Sequence, residues 1–184
     1  MGILDGKIAI VTGAGRGLGR SHALTLAAEG AAVVVNDLGG ELDGAGNASA
    51  TPAEEVVEEI RAKGGRASVN TNDVASWSGA EKMIGQAVAS YGRLDILVNN
   101  AGILRDRMTF NMAEEDWDSV MRVHLKGHFA PIRHACTYWR ERHKAGEPIA
   151  GRIVNTASEA GIIGNAGQAN YSAAKAGILA LTMV

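Results

Sequence analysis

Lys7-Ile8-Ala9-Ile10-Val11-Thr12-Gly13-Ala14-Gly15-Arg16-Gly17-Leu18-Gly19 is the stretch on which the reading of this chain turns. A short apolar run, Ile8 to Val11, passes directly into a glycine cluster and so predicts a buried strand that bends sharply. Residues 18–30 then place Leu18, Ala23, Leu26 and Ala27 on one helical face, and Gly30 supplies a stop. Glycines between ordered segments mark backbone that must come close to something, either a packed helix or a ligand.

Outward from that point the same alternation repeats. Ala32 to Val35 predicts a second buried strand. After a polar, glycine-rich loop, Ala53, Val56, Val57 and Ile60 form a helical stripe that Gly64-Gly65 ends. Residues 67–71 predict a strand, 76–91 a helix and 94–98 a fourth strand. Trp117, Val120, Met121, His124, Leu125, His128, Phe129 and Ile132 step by three and one, predicting one long helix with a broad buried face. Residues 152–155 are the fifth strand, and a further helix begins at Tyr171. Buried strands alternating with helices imply parallel βαβ units, hence an α/β, Rossmann-type doubly wound parallel sheet. Residues 1–184 read as a single domain without repeats.

The bulk numbers exclude several classes. With 18 basic and 20 acidic residues the net charge is -2, which offers no excess for nucleic acid or a membrane surface. No apolar run approaches the roughly 20 residues of a membrane span. Cys136 is the single cysteine, which excludes an internal disulfide and a multi-cysteine metal site; no metal is expected. The strand at Ile8 leaves no room for a signal peptide. These features lead to the expectation of a cytoplasmic protein, or a peroxisomal one in a eukaryote. The chain ends at Val184, inside the last predicted helix, so the fold is expected to be truncated at its C-terminus, lacking its last strands and substrate loop.

A dinucleotide diphosphate needs close backbone approach and helix N-terminal amides aimed at its charge. Gly13, Gly15, Gly17 and Gly19, with Arg16 and Leu18, are the candidates to supply both, spaced Gly-x-x-x-Gly-x-Gly between strand and helix. Asp37 lies 18 residues past Gly19 at the end of the second strand. There a carboxylate can accept both adenosine ribose hydroxyls and repel a 2′-phosphate, which selects NAD over NADP. Arg16 is a conflicting signal, because a basic residue in this loop can pair with that phosphate. Asp37 decides for NAD, since swinging Arg16 aside costs little and desolvating a carboxylate against a phosphate costs several kcal/mol. Asp73 and Val74 follow the third strand, where they can meet adenine. Asn99, Ala101 and Gly102 follow the fourth, where small residues let backbone lie beside ribose.

Tyr171 and Lys175 are four residues apart on a predicted helix and share a face. Oxidising an alcohol needs a base for the hydroxyl proton. Free tyrosine, with a pKa of about 10, is a poor one near neutrality. An ammonium about 4 Å away contributes roughly 4 kcal/mol at an effective dielectric near 20, enough to make the phenol usable. Ser158, just past the fifth strand, can hold the substrate oxygen.

These motifs, in this order and spacing, resemble the short-chain dehydrogenase/reductase family along the whole chain. The resemblance implies Tyr171 as acid/base, Ser158 as carbonyl positioner, and Lys175 as both phenol activator and ribose ligand. Where that family carries an asparagine on the long helix, linked to a bound water and a proton relay, this chain has His124. That histidine reads either as a packed core residue or as the fourth member of the set. Val34 to Gly40, Asn100 to Asp106 and Gly164 to Tyr171 carry a narrower similarity, to the (3R)-hydroxyacyl-CoA dehydrogenase domains of peroxisomal multifunctional enzyme type 2. That similarity implies hydride transfer between NAD and a secondary alcohol or ketone, with a 3-hydroxyacyl-CoA or hydroxysteroid as the small-molecule substrate. The family also implies a homo-oligomer, a dimer or tetramer. Two alternatives stay open: an NADP-dependent 3-oxoacyl reductase, and a nucleotide-binding sensor without activity.

Overall fold

The strand predicted at Ile8 is central to the sheet. In the computed structural model, which describes residues 2–41, 43–44 and 49–184, the strands are β1 (Ile8–Thr12), β2 (Ala32–Asn36), β3 (Arg66–Asn70), β4 (Ile96–Asn99) and β5 (Arg152–Asn155). All neighbours pair in parallel, in the order β3-β2-β1-β4-β5. The chain builds outward from β1 to β3, then returns to the far side of β1 for β4 and β5. That reversal opens a crevice at the C-terminal ends of β1 and β4, where open α/β sheets bind ligands.

Every residue of β1 and β2 is buried, so alternate side chains serve two cores. Ala9, Val11, Val33 and Val35 face α1 (Gly17–Ala28) and α2 (Thr51–Ala62). Ile8, Ile10, Ala32 and Val34 face the other layer, which includes Met83, Ile84 and Ala87 of α3 (Trp77–Tyr91) and Ala135 and Trp139 further along. A parallel sheet covered on both faces explains the unbroken apolar runs. Gly30, at φ +97°, closes the turn after α1 as expected.

The long helix differs from its expectation. It consists of α4 (Glu114–Met121), a π-helical turn (Arg122–Lys126) and α5 (Gly127–Lys144). The extra residue in that turn leaves the apolar stripe nearly continuous, so periodicity alone does not reveal it. The face is also less buried than its pattern implies: Val120, His124 and His128 are buried, whereas Trp117 and Phe129 are exposed. Element ends shift by one or two residues elsewhere. The helix expected at Tyr171 begins at Ala169 and runs to Thr182 (α7), after a single turn, α6 (Ala160–Ile163). Parts of the glycine-rich loop, 42 and 45–48, lie outside the described residues. No described helix is long and apolar enough to cross a membrane.

Candidate active site

The crevice is a cleft of about 570 Å³. Its floor is the turn between β1 and α1. Gly13 adopts φ +61° and Gly17 φ +53°, a region in which only glycine is unstrained. A Cβ at Gly13 would lie 2.8 Å from the Ala101 Cα, whereas one at Gly17 would meet nothing within 4 Å. The first position keeps two loops in contact; the second leaves open space above the helix. α1 begins there with no side-chain cap and no acidic residue in its first turn, so its leading amides and positive dipole end suit an anion. Gly13, Arg16, Gly17 and Leu18 line the cleft. Gly15 and Gly19 stand behind it. A side chain at Gly19 would overlap the Gly13 carbonyl and the Asn100 amide, and one at Gly15 would meet Asp37 and Pro52.

Thr12 ties this turn to the end of β4. Its Oγ1 accepts from the backbone N–H of Asn100 at 2.9 Å and of Ala101 at 3.1 Å. Asn100 returns the tie, donating through Nδ2 to the carbonyls of Thr12 and Gly13, each at 3.1 Å. Asn100, Ala101 and Gly102 line the cleft. Asn99 does not: it is fully buried and donates to Asn155 Oδ1 at 3.0 Å.

Asp37 lines the cleft at the end of β2. Its Oδ2 accepts from Gly15 N at 2.8 Å and its Oδ1 from Gly39 N at 2.7 Å. Each oxygen keeps a further lone pair for a ligand. Arg16 donates to the Gly40 carbonyl at 3.2 Å. Asp73 and Val74 line the same end. Asp73 Oδ1 accepts from Ala75 N at 2.8 Å and Oδ2 pairs with Arg122. Arg122, which also lines the cleft, had no signal in the sequence beyond its place on the long helix.

Tyr171, Lys175 and His124 also line the cleft. Asn170, fully buried, fixes the start of α7: its Nδ2 donates to the carbonyls of Arg105 at 2.9 Å and Asp116 at 3.0 Å, and its Oδ1 accepts from Tyr171 N at 2.7 Å. Nothing in the local pattern marks Asn170, because its partners lie 54 and 65 residues away. The His124 and Tyr171 rings meet edge to face with centroids 5.2 Å apart, and Lys175 Nζ lies 5.5 Å from the Tyr171 ring centroid. His124 Nε2 is 2.8 Å from the Ile103 carbonyl. Burial drives its pKa down to about 4, against the pull of that carbonyl and with a smaller push from the Lys175 charge. The ring is therefore neutral at pH 7. Ser158 is half-buried beyond β5, accepts from Ala160 N at 3.2 Å, and is not among the residues lining the cleft.

Lys175 is buried and donates to the Thr156 carbonyl at 2.5 Å. Desolvation lowers its pKa from 10.5 to about 8. Between those values the unfolded chain holds the extra proton, so the buried ammonium costs stability in full below pH 8 and progressively less up to pH 10.5. Lys175→Met is accordingly expected to be more stable than wild type at pH 7, by about 1–2 kcal/mol after loss of the Thr156 hydrogen bond. The gap should narrow by pH 9.5. Urea midpoints at the two pH values check this, and a less stable variant at pH 7 overturns it.

Glycine turn, strand-end aspartate and Tyr/Lys pair meet around one crevice. The chain matches the short chain dehydrogenase family over residues 7–184 and belongs to it. It is 52% identical over 98% of its length to the hydroxyacyl-CoA dehydrogenase ChsB1 of Mycobacterium tuberculosis. It is 50% identical over 96% to the peroxisomal multifunctional enzyme type 2 of Mus musculus. The chain spans 56% of the first protein and 23% of the second. A crystal structure of a short chain dehydrogenase from Mycobacterium avium superposes with a TM-score of 0.92 at 57% identity, covering 98% of this chain and 62% of that one.

Proposed function

We propose that this protein oxidises a secondary alcohol with NAD, its substrate being a 3-hydroxyacyl-CoA or a hydroxysteroid. The observation that carries the reading is the convergence of Tyr171, Lys175 and His124 on the cleft that also holds the glycine turn and Asp37. The residues present fit a nicotinamide dinucleotide. The free amides at the start of α1 would hold the diphosphate, Asp37 the adenosine ribose, Asp73 and Val74 the adenine, and Lys175 the second ribose. When bound, the cofactor supplies the hydride acceptor.

The protein's own work is proton handling. Tyr171 takes the hydroxyl proton, and the Lys175 cation beside its ring favours the resulting phenolate. Neutral His124 packs against Tyr171 without adding a second charge that would compete with Lys175. Ser158 would leave its Ala160 amide to steady the substrate oxygen. The likeness to ChsB1 and to the mouse enzyme supports an acyl-CoA substrate.

A second reading, an NADP-dependent 3-oxoacyl reductase, draws on Arg16, which lines the cleft and donates to the Gly40 carbonyl. One set of initial rates separates them. With 3-hydroxyacyl-CoA thioesters of several lengths and a hydroxysteroid panel, kcat/KM for NAD is expected to exceed that for NADP at least tenfold. A tenfold preference for NADP overturns the proposal, and turnover of neither substrate class removes the substrate assignment.

A further inference from the structure

Asn36 closes β2 and is 2% exposed, yet it lines the cleft and has no part in the cofactor contacts proposed above. Which end of its amide faces the cleft is decided some distance away. Gln86, on α3, places Nε2 2.8 Å from the Val69 carbonyl. A carbonyl only accepts, so that atom is the nitrogen, and Oε1 is left to accept from Asn70 Nδ2 at 2.8 Å. Asn70 therefore turns Oδ1 the other way. The backbone agrees, since Asn72 N, which can only donate, meets that same Oδ1 at 3.0 Å. Asn36 must then present Nδ2, which donates to Asn70 Oδ1 at 2.6 Å and to the Asn72 carbonyl at 2.9 Å. Backbone groups of Val69 and Asn72 thus fix the whole chain of amides.

Both amide hydrogens of Asn36 are spent in this way, which leaves its side chain only the acceptor Oδ1. Among the described residues Oδ1 meets no donor, and it is not one of the unpaired side-chain atoms sealed from solvent. An oxygen neither paired nor sealed, on a residue that lines the cleft, is open to a ligand there. Side chains alternate along β2, so Asn36 shares the face of Val34, toward α3, and Asp37 that of Val35, toward α1. The two residues therefore serve different parts of a ligand. Asn36 holds the carbonyl of Asn72, next to Asp73 and Val74. The Asp73 carboxylate also only accepts, and Arg122, the cation beside it, is paired with it. Acceptors at this turn call for a donor on the ligand. We propose that Asn36 is a specificity-determining residue for the cofactor's base: its Oδ1 accepts from the exocyclic amino group of adenine and rejects a purine with a carbonyl in that place. The proposal rests on the reading of Asp73 and Val74 as the adenine contacts.

The test is binding, read by calorimetry with NAD and with nicotinamide hypoxanthine dinucleotide, in which a carbonyl replaces the purine amino group. Wild type is expected to bind NAD about tenfold more tightly, because the analogue loses a hydrogen bond and sets an oxygen against Oδ1. In Asn36→Val that preference should fall about fivefold or more. Asn36→Ser keeps one donor for the turn but lacks the reach to the base, so it should lose the preference too, and it gives the comparison if Asn36→Val does not fold. An Asn36 that merely supported the turn would weaken both dinucleotides alike in these variants. An unchanged ratio therefore overturns the proposal, as does a wild type that binds the two equally, and either result leaves the NAD reading intact. A wild type that binds neither dinucleotide overturns the NAD reading itself and this inference with it, so the two failures are told apart.

Discussion

Tyr171→Phe is expected to lower kcat about a thousandfold while the dissociation constant for NAD changes less than twofold. The first number follows from losing a general base, a loss typically worth about 10²- to 10⁴-fold. The second follows from what the substitution keeps. The phenyl ring still meets His124 edge to face and still lies near the Lys175 ammonium, contacts made by the ring and not the hydroxyl. The hydrogen bond from residue 171 to Asn170 Oδ1 is made by the backbone. Steady-state rates and NAD titration by fluorescence check the two halves separately. A fall in kcat of less than tenfold would mean that another group takes the proton. A parallel loss of NAD binding would mean that the hydroxyl supports the site's structure and does no chemistry.

The sheet was legible in the sequence because its evidence is local. Ile8 to Val11 and Ala32 to Val35 are apolar on both faces, and only a strand covered from both sides requires that. The glycine turn was legible from its place between a buried strand and a helix, although the crowding at Gly13 and Gly19 comes in large part from Asn100 and Ala101, far along the chain. What failed to show were features set by distant partners or by one residue of register. Asn99 and Asn100 are neighbours, yet the first turns into the sheet interior and the second reaches the cleft. The π-helical turn inserts a residue without disturbing the stripe, and it is there that His124 sits. Asn170 and Thr12 brace the site through partners more than 50 residues away, and no pattern of spacing carries such pairs. The exposed Trp117 and Phe129 mislead in the opposite sense, because helical period marks an apolar face without saying what covers it.

Asp37 offers the sharpest test of cofactor choice. Its carboxylate is held from both sides by the amides of Gly15 and Gly39, so it is not free to swing from a ligand placed on that ribose. A phosphate about 4 Å from it would meet a repulsion of up to roughly 4 kcal/mol at an effective dielectric near 20. Solvent and salt reduce that figure in an open cleft. Asp37→Asn removes the charge while keeping one acceptor for the loop, and should therefore cut the ratio of kcat/KM for NAD to that for NADP about a hundredfold. Asp37→Ala also frees both amides, so its KM for NAD should rise further than that of Asp37→Asn. Arg16 then has a role to play. Its guanidinium, released from the Gly40 carbonyl, can pair with a 2′-phosphate once the carboxylate is neutral. Adding Arg16→Ala to Asp37→Asn should accordingly abolish the activity gained with NADP and leave that with NAD almost unchanged. If Asp37→Asn keeps the wild-type ratio, the discrimination lies elsewhere and the NAD assignment loses its physical basis.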